Sequence, residues 1–495
     1  MLPRQLEQNT IPPVWMGNGT QFRSRIDISV AGKSTAARAS EHNSMEVLQD
    51  VIDQTSEPAF EIVVLGSGGG PLETDCAGYL VKAIDQRWED GILGLEGGSG
   101  LGALSALFSS QSPDTMFPGI TFPTDYSTPL LQASYVFSFV SGYLITHAHL
   151  DHVQSLIMLT GSAPPRPNLA ASNYAPVSQP VPPLCPIVYG TTGTLEKLST
   201  AYTGQIWPEL VAWVPGHNED RKTEAPKKRR KVNQADKRKK SKSPESDTRL
   251  IYNEHPNASL VLSPLQTNSP PQSLIGAPSL GVRLYPLVHG STSKETYESS
   301  GAFIRHMPLP YLSPKPVTSV RSRRKPKEGK EFLFLGDMES AYRKSGENGA
   351  HPELRAKAGR FNSVIWEEAA RSWIEGRLCG IFIECSYDSS RLGQHMYGHL
   401  SPPAVYHELK VLAGHVSQTK TRPLDGLKIF ITHIKESLVP HPEGKTQHEI
   451  IMAQLQELEK DGKLGVAFIR PVKGDCIGCI CTSEVVEWEV SWEGL

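Results

Sequence analysis

Thr146-His147-Ala148-His149-Leu150-Asp151-His152 packs three imidazoles and a carboxylate into one short segment, directly after the apolar run Tyr143-Leu144-Ile145. Core packing does not account for it, because a buried imidazole or carboxylate is costly unless it finds a partner. In an extended chain alternate side chains share a face, so His147 and His149 project together. The helical spacing of Val153 to Leu159 then turns Asp151 and His152 toward a second point. Imidazole and carboxylate donors at such spacing are ligands for divalent transition metals.

Outward from this segment a second pattern recurs: a His or an acid placed just beyond an apolar strand. It is seen in Leu284-Tyr-Pro-Leu-Val-His289, Phe332-Leu-Phe-Leu-Gly-Asp337, Ile381-Phe-Ile-Glu384 and Lys428-Ile-Phe-Ile-Thr-His433. In layered α/β proteins strand ends gather along one edge, so such residues converge in space. Further strand-like runs are Glu61–Leu65, Gly78–Val81, Gly91–Leu95 and Tyr135–Thr146, while residues 362–377 and 447–460 have helical spacing. Strands and helices alternate, which predicts an α/β fold. Gly66-Ser-Gly-Gly-Gly70 follows a strand but lacks the Lys-Ser/Thr of a phosphate-binding loop, so it reads as a tight turn.

The 495 residues, 38% of them apolar before the 42 glycines are counted, suit a large globular core. Seven cysteines, mostly solitary, do not form a disulfide framework, and Cys476-Ile-Gly-Cys479-Ile-Cys481 lacks the second pair of a zinc site. The N-terminus has no signal-peptide core, and no apolar run reaches the ~18 residues of a membrane helix. A soluble, cytoplasmic protein is expected. Residues 1–57 are polar and read as a flexible leader, and residues 58–495 as one catalytic domain interrupted by insertions at 161–183, 216–280 and 308–330. Seven prolines in 161–183, and the Pro, Ser, Lys and Arg of 216–280, argue against packing there.

The net charge of −2 hides an uneven distribution: +7 within 224–245 and +5 within 321–330 leave −14 for the rest. Pro226-Lys-Lys-Arg-Arg-Lys-Val232 resembles a nuclear import signal, which names an import receptor as a partner and adds the nucleus as a location. A solvated loop is the plainer reading of the same run. With so acidic a body, neither nucleic acid nor a membrane is an expected partner.

The motif His147-x-His149-x-Asp151-His152 with distant His289, Asp337 and His433 resembles the metallo-β-lactamase superfold. Within it the chain is most similar to the class II cyclic-nucleotide phosphodiesterases. The family blocks are Leu65-Gly-Ser-Gly-Gly-Gly-Pro71, Ser155-Leu-Ile, Gly161-Ser-Ala-Pro164, Val188-Tyr-Gly190, Ile206-Trp-Pro208, Glu384-Cys-Ser-Tyr387 and Gly398-His-Leu-Ser-Pro402. A departure is Leu95-Glu96-Gly97, where a related chain often carries Asp. The resemblance implies an αββα sandwich with disordered insertions. It also implies two divalent ions, Zn²⁺ foremost with Mn²⁺ and Fe²⁺ left open. His147, His149 and His289 would hold one ion, Asp151, His152 and His433 the other, and Asp337 would bridge them. Asp151, Glu384 and His399 form the implied catalytic set: His399 protonates the leaving oxygen and Glu384 orients it. The implied reaction opens a 3′,5′-cyclic nucleotide, cAMP or cGMP, to the 5′-monophosphate and so ends its signal. Two rivals share the ligands: an RNA phosphodiesterase resembling ribonuclease Z, and a scaffold that has lost its metals.

Overall fold

The computed structural model describes residues 58–164, 185–215, 258–293, 295–307, 329–343, 352–391 and 395–479. Alternation along single strands explains how the layers form. In β1 (Phe60–Gly66), Ile62 and Val64 face a second sheet, whereas Val63 and Leu65 face helices on the outside. In β11 (Glu331–Leu335), Phe332 and Phe334 point inward between the sheets and Leu333 and Leu335 point outward. A period of two with apolar residues on both faces is the signature of a sheet covered on both sides.

Among the described residues the first sheet has 8 strands in the order β15-β1-β2-β3-β4-β5-β7-β6, and the second has 7 in the order β14-β13-β12-β11-β10-β9-β8. The first comprises β1, β2 (Gly78–Ala83), β3 (Ile92–Leu95), β4 (Val140–Leu144), β5 (Ile187–Gly190), β6 (Val211–Trp213), β7 (Leu260–Pro264) and β15 (Cys476–Cys479). The second comprises β8 (Gln272–Leu274), β9 (Ala277–Ser291), β10 (Thr296–His306), β11, β12 (Leu378–Glu384), β13 (Lys428–Thr432) and β14 (Ala467–Ile469). Aromatic rings fill the space between them, with Phe60 against Phe332 at 4.9 Å and Phe382 stacked on Phe430 at 4.4 Å. Each such buried ring contributes about 1.5–3 kcal/mol.

Helices α1 (Leu101–Phe108), α2 (Pro113–Met116), α3 (Pro129–Phe137), α4 (Leu150–Leu159) and α5 (Thr192–Ser199) belong to the part of the chain that builds the first sheet. All five give buried residues to the core on its outer face. The outer face of the second sheet is covered by α6 (Pro352–Ile374), α7 (Pro402–Val416) and α8 (Gln447–Gly462), through Trp366, Leu409 and Leu455 among others. The result is the expected αββα sandwich.

Strand direction sets the functional edge. β11, β12 and β13 are mutually parallel, and β9 runs in their direction because β10 lies antiparallel between it and β11. Residues at the ends of β9, β11, β12 and β13 therefore emerge together.

Two expectations need adjustment. The stretch 216–280 is not all insertion: its described part, from 258, contains β7, which sits between β5 and β6, and then β8 and the start of β9. Within Leu260-Val-Leu-Ser263, Val261 and Leu262 pair on both sides, and the flanking prolines concealed so short a strand. The strand expected over Tyr135–Thr146 is confined to Val140–Leu144, because Thr128 caps a helix by accepting from Leu131 N with Pro129 at its first position, and that helix runs on to Phe137. Cys476–Cys479 forms an edge strand against β1. The leader, the import-like run and the other basic clusters lie outside the described residues, apart from Gly329 and Lys330.

Candidate active site

His147 follows β4, and His149 is the N-cap of α4, whose first turn carries Asp151 and His152. His289 lies near the end of β9, Asp337 just past β11, Glu384 at the end of β12 and His433 just past β13. The nine residues singled out from the sequence are brought to one place. His147, His149, His289 and Asp337 place ligand atoms within 4.8 Å of one another, as do Asp151, His152 and His433, and as do Asp337, His399 and His433.

Asp337 Oδ2 is the centre. It lies 3.3 Å from His433 Nε2, 3.5 Å from both His147 Nε2 and His152 Nε2, and 3.6 Å from His289 Nε2 and His399 Nδ1. Burial opposes charge on this carboxyl, but the imidazoles of His433, His152, His147 and His399 hold it well below the usual carboxylate range. Burial also pushes His147 well below the ordinary imidazole value and His289 down to about 4. In His152 burial likewise opposes the charge, but the carboxylates of Asp337 and Glu96 raise that ring well above the ordinary value.

Hydrogen bonds behind the rings fix which nitrogens face the centre. His289 Nδ1 donates to the Gly398 carbonyl at 3.0 Å, so its Nε2 presents a lone pair inward. His433 Nδ1 lies 2.9 Å from Ser386 Oγ, and that hydroxyl donates to Glu384 Oε2 at 2.7 Å, so His433 Nε2 also presents a lone pair. The inward nitrogens then crowd one another. His149 Nδ1 is 3.2 Å from His147 Nε2 and 3.1 Å from His289 Nε2, while His152 Nε2 is 3.1 Å from His433 Nε2. One proton on His149 cannot serve two nitrogens. A cation can, so this buried His/Asp donor set fits divalent metal ions.

Several supporting residues were not foreseen. Glu96, seen in the sequence only as a departure from the family pattern, is buried, accepts from Thr146 N and Oγ1, and lies 3.4 Å from His152 Nδ1. It has a positive φ of 60°, as does His433, and such strained backbone recurs at functional sites. Gly69 explains part of the glycine-rich turn, since a Cβ there would overlap the His433 ring. Tyr297 stacks on His149 at 4.4 Å with 20° between the planes. Lys435 places Nζ 3.7 Å from Asp151 Oδ2 and donates to the Gly69 carbonyl. His399 Nδ1 lies 3.2 Å from Glu384 Oε1. Burial opposes its charge, yet Glu384 and Asp337 raise its pKa above the ordinary imidazole value.

A four-layer sandwich with a His- and Asp-rich centre at the strand ends defines a metallo-hydrolase of the metallo-β-lactamase type. The solved structure of unliganded yeast PDE1 has the same fold, with a TM-score of 0.56 at 18% identity over 84% of this chain and 98% of that one. Residues 64–474 match the family model of class-II cAMP phosphodiesterases, and the chain belongs to that family. A 3′,5′-cyclic-nucleotide phosphodiesterase of Candida albicans is 24% identical over 456 residues, covering 82% of this chain and 96% of the relative. One from Aliivibrio fischeri is 26% identical over 421 residues, covering 85% and 92%. The family match favours the cyclic-nucleotide reading over the RNA-cleaving and scaffold alternatives. Among the described residues no helix is long and apolar enough to cross a membrane.

Proposed function

We propose that this chain hydrolyses the 3′-ester of 3′,5′-cyclic nucleotides, cAMP and cGMP among them, to 5′-monophosphates, using two divalent ions, most readily Zn²⁺. The observation that carries it is Asp337 Oδ2 lying within 3.3–3.6 Å of five imidazole nitrogens. A carboxylate so placed suits a ligand shared by two ions. His147, His149 and His289 would hold one ion, and Asp151, His152 and His433 the other. Bound there, such a pair supplies an activated water at neutral pH and neutralises charge that builds on the phosphoryl oxygens.

The protein's own groups do the rest. The water oxygen forms a bond to phosphorus as the bond to O3′ breaks, and O3′ leaves well only if it receives a proton. His399 supplies that proton from Nε2, since Nδ1 is engaged by Glu384, which orients the ring and favours its protonated form. Ser386 and the Gly398 carbonyl hold His433 and His289 in their ligating tautomers.

The deciding experiment offers cAMP, cGMP and a non-cyclic diester to the purified protein, with and without a chelator, and counts bound metal. Chelator-sensitive turnover of the cyclic substrates to 5′-monophosphates is expected; its absence sinks the reading. The basic run Pro226–Val232 is proposed to direct nuclear import. Residues 220–245 fused to a fluorescent protein should then accumulate in the nucleus, and an even distribution would remove that role.

A further inference from the structure

Beside the metal centre lies a cavity of about 640 Å³, within the ~300–1,000 Å³ typical of small-molecule sites. Its described lining includes Tyr387, Asp388 and Arg391 on one loop and Lys435, Val439 and Pro440 on another.

The inner wall touches the catalytic groups. The Tyr387 ring meets the His399 ring edge-on at 5.8 Å and 79°, and Lys435 lies 3.7 Å from Asp151 Oδ2. Tyr387 is itself covered by the Arg391 guanidinium, 3.9 Å from the ring centre, and Arg391 Nε donates to the His395 carbonyl at 2.9 Å, which fixes the plane. A flat cation on a flat ring, exposed at a cavity wall, is a surface on which another flat π-system stacks. On the other loop Val439 is 71% exposed and borders the same cavity with Pro440. An apolar lip beside a planar stack suits a heteroaromatic ring.

The polar groups of the walls are largely engaged with one another. Their two acids are already satisfied: Asp388 accepts from Gln447 Nε2 at 2.8 Å and from Ser390 N at 2.6 Å, and Glu436 pairs with His448 Nδ1 at 2.8 Å. The Arg391 guanidinium, laid on Tyr387, is left to meet an occupant with its other face.

We propose that the nucleoside half of the substrate occupies this cavity, with the base laid on the Arg391–Tyr387 pair and the ribose beside His399. The inference rests on the cyclic-nucleotide reading above and assigns Arg391 and Tyr387 as the residues that distinguish a nucleotide from a bare cyclic phosphate.

The test compares kcat/KM of the metal-loaded full chain for cAMP and for a base-free analogue, methyl ribofuranoside 3′,5′-cyclic phosphate. Equilibrium dialysis with 5′-AMP reads binding apart from turnover, and melting curves read the fold. Wild type should prefer cAMP. Arg391→Ala and Tyr387→Leu should each shrink that preference about 5- to 100-fold, the range for loss of a base-stacking side chain, and weaken 5′-AMP binding in step. Arg391 is exposed, so its variant decides the matter if Tyr387→Leu fails to fold. An undiminished preference in Arg391→Ala, or a wild type that turns over cAMP and the analogue equally well, overturns the proposal. A wild type that turns over neither compound sinks the cyclic-nucleotide reading itself.

Discussion

Strand β11 carries a buried carboxylate at each end, and the two are neutralised in opposite ways. Glu331, at its start, is fully buried and meets Arg305 Nε at 2.7 Å, Ser372 Oγ, Arg377 Nη1 and, at 3.7 Å, Arg283 Nη2. Its neighbours Glu368 and Glu375 pair with Arg283 and Arg377 in turn, so the group closes on itself. Asp337, past the other end, is ringed by imidazoles, two of which, His147 and His289, burial pushes below the ordinary value, and no guanidinium reaches it among the described residues. Guanidinium carries a permanent charge, whereas imidazole offers a lone pair. Glu331 is thus paired by permanent cations of the protein, while Asp337 sits in a donor set that fits divalent ions.

The sharpest test of this contrast is to remove each acid. Asp337→Asn should abolish measurable cyclic-nucleotide turnover and lower bound metal, as read by elemental analysis, with the fold kept; retention of both would break the contrast. Next in size, His399→Ala should lower kcat about 10²–10⁴-fold, the usual range for a lost general acid, with metal content intact. Loss of metal as well would make His399 a ligand, a role its 3.6 Å approach to Asp337 permits.

At the other end, Glu331→Ala should cost about 3–5 kcal/mol of stability, as expected when a buried charge loses its partner, while metal content and kcat/KM of the folded protein stay at the wild-type level. Burial opposes the Glu331 charge, but Arg305, Ser372 and Arg377 hold its pKa below the ordinary value. Its stabilisation is therefore complete above the unfolded value of about 4.3 and is lost as pH falls through the lower folded value. The melting temperatures of wild type and variant should converge on acidification, and a gap that widens instead would refute the account. Smallest, Ser386→Ala removes the hydroxyl that lies behind His433 and donates to Glu384, and should weaken metal affinity about 10–100-fold. Competition with a chromophoric chelator measures it.

Most of the centre was legible because its signals are local. The alternation in His147-Ala-His149 and the acid or imidazole just past an apolar run are short-range patterns with a direct geometric meaning. Elements whose identity depends on neighbours were less legible. Leu260–Pro264 is a strand because β5 and β6 flank it, and Pro129–Phe137 is a helix despite its aromatic and β-branched residues because of its Thr-Pro start. Glu96 looked like a defect in a motif, yet at that position it reaches both Thr146 and His152.

The sequence alone marks an α/β chain and its candidate metal-ligating residues, because periodicity and donor chemistry are written along the chain. Glu331 and Asp337 both read there as acids at the limits of an apolar strand, and nothing local separates them. Only the tertiary structure decides that guanidinium groups surround the first and imidazoles the second. Those partners come from distant segments, and the order and direction of the strands determine which of them meet.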